Sequence, residues 1–187
     1  MSDPVVTFVC WGNICRSPMA SMVGRAWAAR DGLTGVRFTD AGVSGEEEGR
    51  PIDPRAAAAL RAAGYHVYDH RAHLITDDEL REASMLIGME KVHLARLKQR
   101  LAGVTGTVRV ARPANSTSSA NQAIGTVPTP TPQPDRCYLL SDFDPDAVPG
   151  SGIPDPWYGP DSRFGETLAS IEAAMPEIMK RARELVG

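Results

Sequence analysis

The sequence predicts an α/β fold, a parallel sheet with helices on both faces. Strand-like and helix-like segments alternate along the chain, the pattern that builds parallel sheets. The first strand, Val5–Cys10, is a short continuous apolar run, as expected of a strand buried on both sides. Scale agrees: 187 residues, 42% hydrophobic and 23% charged, suffice for one domain with a sizeable core and no disulfide staples.

After Val5–Cys10, a turn at Trp11–Arg16 leads to Ser17-Pro18. Ser reads as the cap and Pro as the first residue of a helix reaching about Arg30. Met19, Met22, Val23 and Ala26 share one face of it. Val36–Ala41 is the second strand. Asp53-Pro54 opens a helix through Ala63, stopped by Gly64. Thr76-Asp77-Asp78-Glu79 is a capping box before a short helix. Ser84–Met89 is the third strand, followed by a helix from about Glu90 to Leu101. Cys137–Ser141 is the last strand, and Glu166–Val186 the terminal helix, with Pro176 its expected kink. Arg112 to Arg136 lacks periodicity and is rich in Pro, Ser and Thr, so a single domain over 1–187 with an insert at about 112–136 is predicted. A second loop, Asp142 to Asp161, is dense in turn signals.

Composition narrows the function. A net charge of -3 offers no basic face for nucleic acid. Three cysteines do not suit a secreted disulfide scaffold. No leader pattern and no run of 18 apolar residues occurs, which predicts a cytoplasmic protein without a membrane span. The four histidines, His66, His70, His73 and His93, lack metal spacing. All but His70 read as surface or hydrogen-bonding residues.

In such folds ligands lie beyond the carboxyl ends of the strands, which points to Cys10-Trp11-Gly12-Asn13-Ile14-Cys15-Arg16-Ser17. Cys10 ends a buried strand and Arg16 starts a helix. A loop closing between them turns its backbone N–H groups inward as an anion site, and the helix N-terminus adds positive potential. Both effects favour a thiolate at Cys10. Arg16 offers a planar fork for two phosphate oxygens. The loop is thus a phosphate cradle with a nucleophile at its floor.

The run Val9-Cys10-x-Gly12-Asn13-x-Cys15-Arg16-Ser17-Pro18-Met19-Ala20 resembles the signature of the low-molecular-weight protein tyrosine phosphatases. The resemblance continues through Ala41-Gly42, Asp53-Pro54-Arg55, His70-Arg71-Ala72 and Asp155-Pro156-Trp157-Tyr158-Gly159, and only the stretch around 111–136 has no counterpart. It implies a four-stranded parallel sheet, Cys10 as nucleophile, Arg16 as phosphate ligand and Asp155 as general acid. It further implies that Ser17 donates to the thiolate, that Asn13 shapes the loop and that His70 braces Asn13. Cys15 would form a reversible disulfide with Cys10 under oxidation, or else fill the core, and Cys137 is read as core. The implied partners are phosphotyrosine-containing proteins, met by a monomer without metal or organic cofactor. Expelling a phenolate requires a proton at the leaving oxygen, which Asp155 would supply, while Trp157 and Tyr158 stack on the phenyl ring.

Some positions depart from the family pattern. Asp40 stands where Ser is usual, which predicts an Asp40–His70 pair, since a buried carboxylate needs partners. Glu46-Glu47 occupy the pocket wall where relatives carry bulky aromatics. They are either a solvated acidic turn or a rim that disfavours acidic phosphopeptides. His73 replaces a usual Arg, and Trp157 replaces a phosphorylatable Tyr. Arsenate reduction would need relay cysteines, and none lies between His66 and Gln99. An arginine phosphatase would carry a small Thr where Ile14 stands. A phosphotyrosine-binding module would have no need of Asp155.

Overall fold

The computed structural model describes residues 3–104 and 136–187. Its centre is β1 (Val5–Cys10), flanked by β2 (Arg37–Gly42) and β3 (Ala83–Gly88), with β4 (Cys137–Leu139) beyond β3. The four strands form one parallel sheet in the order β2-β1-β3-β4. All six residues of β1 are buried, because its side chains feed two cores in alternation. Val6, Phe8 and Cys10 face one cluster with residues of α1 (Arg16–Arg30), α2 (Pro54–Ala62) and α5 (Ser162–Val186). Val9 faces the other, with Leu80 of α3 (Asp77–Glu82) and Leu97 and Leu101 of α4 (Lys91–Val104). A strand covered on both faces has no polar side to show, hence its unbroken apolar sequence.

The helices follow their local signals. Asp53 caps α2, accepting the Arg55 backbone N–H at 2.8 Å, and Thr76 and Glu79 form the reciprocal capping box of α3. α5 presents Phe164, Leu168, Ile171, Met175, Ile178 and Met179 to the core and continues past Pro176 to Val186. Each such side chain contributes about 1.5–3 kcal/mol by leaving water.

Several boundaries differ from expectation; β3 is displaced one residue back, to Ala83–Gly88, and α4 runs on to Val104. α1 begins at Arg16, not after Ser17, and no side chain caps it; the Ser17 hydroxyl is engaged by Cys10 and Asn13 instead. β2 is displaced one residue onward, to end at Gly42. β4 stops at Leu139, because Leu140–Phe143 winds into a 3-10 turn in which Asp142 accepts the Leu139 N–H. α5 starts four residues earlier than its apolar periodicity suggests, at Ser162. The insert at about 112–136 lies outside the described residues except for Arg136, whose guanidinium binds the carbonyls of Leu80 and Ala83.

Candidate active site

The carboxyl end of β1 delivers Cys10, and the loop from Trp11 to Cys15 wraps back into α1. Asn13 holds the loop's shape. It has φ 58°, the only positive φ outside glycine among the described residues, a conformation Asn tolerates better than most. Every polar atom of its side chain is spent. Nδ2 donates to Ser17 Oγ at 3.0 Å and Asp40 Oδ1 at 2.8 Å, and Oδ1 accepts the His73 backbone N–H at 3.0 Å. Its carbonyl meets His70 Nε2 at 2.6 Å. Ser17 Oγ accepts from Asn13 and lies 3.0 Å from Cys10 Sγ, close enough to donate to a thiolate there.

Asp40 is the hub beneath this network. It is buried, takes the Asn13 amide and the Ser21 hydroxyl, and faces His70 Nδ1 at 3.4 Å. The predicted Asp40–His70 contact is present, although Asn13 and Ser21 are the nearer partners. The end of β2 must also be glycine: a Cβ on Gly42 would stand 2.8 Å from the Trp11 carbonyl.

Arg16 is 2% exposed and heavily bonded. Nη1 donates to Glu90 Oε2 at 2.8 Å and to the Ile153 carbonyl at 2.9 Å, while Nη2 donates to Asp155 Oδ2 at 2.8 Å. Its Nε has no hydrogen-bond partner among the described residues. Glu90, at the start of α4, escaped sequence reasoning, because an acid beginning a helix is unremarkable until the fold sets it against Arg16.

Asp155 reaches Arg16 because its loop is pinned to the end of β3. Ile153 N–H donates to the Met89 carbonyl at 2.7 Å, and Gly152 N–H to Ser141 Oγ at 3.0 Å. Gly152 has φ 75°, and a Cβ there would stand 3.0 Å from the Met89 carbonyl, so only glycine fits without strain. Other acids of the loop have local work: Asp142 takes the Leu139 and Gly150 N–H groups, and Asp144 takes that of Asp146. The second oxygen of Asp155 accepts Trp157 N–H at 3.1 Å.

These groups line one open cleft. Cys10, Gly12, Ile14, Cys15 and Arg16 lie on its loop side, and Trp11, Glu46, Glu47, Asp155, Trp157 and Tyr158 complete it. Glu46 and Glu47 each have a partner at the rim. Glu46 Oε2 accepts the Trp11 indole N–H at 3.1 Å, and the Arg96 guanidinium lies 4.3 Å from the centre of the Trp11 ring. Glu47 pairs with Arg50 at 2.8 Å, and its stem crowds Gly12, where a Cβ would come within 2.8 Å. Across the cleft, Arg55 is bonded to Asp53 and sits 5.1 Å from the Trp157 ring, while Tyr158 is 88% exposed.

The three cysteines are free and buried. Burial, followed by the charge of Asp53, pushes the Cys15 thiol far above its usual range, so Cys15 stays protonated at neutral pH. Burial likewise raises Cys137. Among the described residues no group of three His, Cys, Asp or Glu could hold a metal ion, and no helix is long and apolar enough to cross a membrane.

A family model described as low molecular weight phosphotyrosine protein phosphatase matches residues 5–132. The chain is 36% identical over 179 residues to low molecular weight protein-tyrosine phosphatase A of Mycobacterium tuberculosis, covering 94% of this chain and 90% of that protein. It is 33% identical over 183 residues to the low molecular weight protein-tyrosine-phosphatase of Streptomyces coelicolor, covering 97% and 94%. A protein tyrosine phosphatase from Entamoeba histolytica shares the fold with TM-score 0.76 at 21% identity over 97% of each chain. YfkJ from Bacillus subtilis does so with TM-score 0.71 at 25% identity over 97% and 98%. The chain therefore belongs to the low molecular weight phosphotyrosine protein phosphatase family.

Proposed function

We propose that this protein hydrolyses phosphotyrosine in proteins through a phosphocysteine intermediate, with Cys10 as nucleophile, Arg16 as phosphate ligand and Asp155 as proton donor and acceptor. The observation that carries the reading is the meeting of all three in one cleft, with Arg16 bridging to Asp155 at 2.8 Å. The Cys10 sulfur attacks phosphorus, an S–P bond forms as the P–O bond to the phenol breaks, and Asp155 gives its proton to the leaving oxygen. Asp155 then accepts a proton from water attacking phosphorus, the S–P bond breaks, and inorganic phosphate leaves. Arg16 Nε and Nη2 form the edge that grips two phosphate oxygens throughout. Ser17 donates to the sulfur as it departs, and Asn13 with His70 keeps the loop closed around the phosphate.

Trp11, Trp157 and Tyr158 form the aromatic surround for the phenyl ring, and Glu46 and Glu47 the acidic rim that disfavours acidic phosphopeptides. A cytoplasmic monomer is part of the same reading, its compartment supported by a cysteine count of three, too small and odd for a disulfide scaffold. Turnover of an aryl phosphate by the wild type and its loss in Cys10→Ser is the expected result; activity surviving that substitution contradicts the mechanism. Preference for phosphoarginine over phosphotyrosine would transfer the same chemistry to the alternative substrate.

A further inference from the structure

Resting on the reading of Arg16 as phosphate ligand, we propose that His93 is a positioning residue for Arg16, acting through Glu90. His93 is wholly buried one turn into α4. Its Nδ1 accepts the Glu90 backbone N–H at 3.1 Å, the reach-back bond that a Glu or Gln makes in a capping box. That bond fixes the tautomer: Nδ1 is the acceptor, so the proton sits on Nε2. Nε2 has no hydrogen-bond partner among the described residues, and Glu90 Oε2 lies 3.7 Å from it. The same oxygen accepts from Arg16 Nη1 at 2.8 Å.

One imidazole thus bonds the Glu90 backbone directly and keeps its Nε2 3.7 Å from the Glu90 carboxylate, just beyond hydrogen-bond reach. A shift of under an ångström would bring that carboxylate into hydrogen bond with Nε2. Burial, then the charge of Arg16, lowers His93 to about 4, so the ring is neutral near pH 7, as the Nδ1 bond requires. The charged groups around it are Arg16, Glu90, Asp155 and Arg96. A small error in the guanidinium's placement is costly where two phosphate oxygens must be gripped at once.

A set of variants and one wild-type measurement test this. His93→Phe keeps the ring and removes both nitrogens; His93→Asn keeps an acceptor for the Glu90 N–H. The expected result for His93→Phe is a kcat/KM for aryl phosphate lowered about tenfold, with inhibition by inorganic phosphate weakened by a similar factor. His93→Asn should recover most of both. In a Glu90→Gln background, His93→Phe should add little further loss, because both act on one group. Unchanged phosphate inhibition in folded His93→Phe, or losses that multiply in the double variant, overturn the proposal. Should His93→Phe fail to fold, nitrogen chemical shifts of His93 in the wild type decide: the Nε2-protonated tautomer supports it and the Nδ1-protonated tautomer overturns it. Arg16→Ala separates the two claims, since full activity there would sink the reading of Arg16 itself.

Discussion

Acidification should destabilise this protein through His93, and the size of the effect follows from its surroundings. Burial and Arg16 lower the imidazole from 6.5 to about 4. The unfolded chain therefore takes up the proton first as pH falls, and stability from the neutral ring, complete above about 6.5, is lost on the way down to about 4. The difference of 2.5 units corresponds to about 3 kcal/mol in full, of which about 2–3 kcal/mol is already gone at roughly pH 4.5. Urea unfolding at pH 7 and at that lower value, followed by tryptophan fluorescence, measures it when wild type is set against His93→Asn. Carboxylate titrations are common to both proteins and cancel. Wild type should lose about 2–3 kcal/mol more than the variant between the two conditions. Equal losses would mean that His93 is not held neutral by its site, and the reasoning would fail.

Asp40→Ala strands the amide of Asn13 and the hydroxyl of Ser21. It should lower stability by about 3 kcal/mol and reduce kcat/KM, read by urea unfolding and an aryl phosphate assay. Gly152→Ala forces a side chain into φ 75° against the Met89 carbonyl, so the Asp155 loop must shift. Its kcat should fall most on substrates with poor leaving groups, and a uniform effect across leaving groups would argue against Asp155 as proton donor. Glu46→Trp replaces the charge that holds the Trp11 indole with an aromatic wall and should lower KM for an aryl phosphate; an unchanged KM would remove Glu46 from the specificity argument.

The sequence made the strands and the loop legible because their signals are local. An apolar run ending in Cys10, a Thr-to-Glu capping box and the Asp53-Pro54 start each depend on a few adjacent residues. Ser17 misled for the same reason. Its local preference is to cap a helix, but tertiary contacts with Cys10 and Asn13 claim its hydroxyl. Glu90 is illegible because its meaning comes from a partner 74 residues away, Arg16, and His93 because it meets Arg16 only through Glu90. The sequence marks Glu46 as a wall position, while its bond to Trp11 and the Arg96 stack depend on α4 lying beside the loop. The His73 backbone N–H, which holds Asn13, carries no side-chain signal at all.

The central claim is that Cys10 carries the phosphoryl group covalently. Rapid quenching of the enzyme with a radiolabelled aryl phosphate, followed by peptide mapping, tests it directly. Label bound through sulfur at Cys10, absent in Cys10→Ser, is the predicted result. Steady turnover with no label on Cys10 in either the wild type or the Asp155→Ala variant would contradict the account.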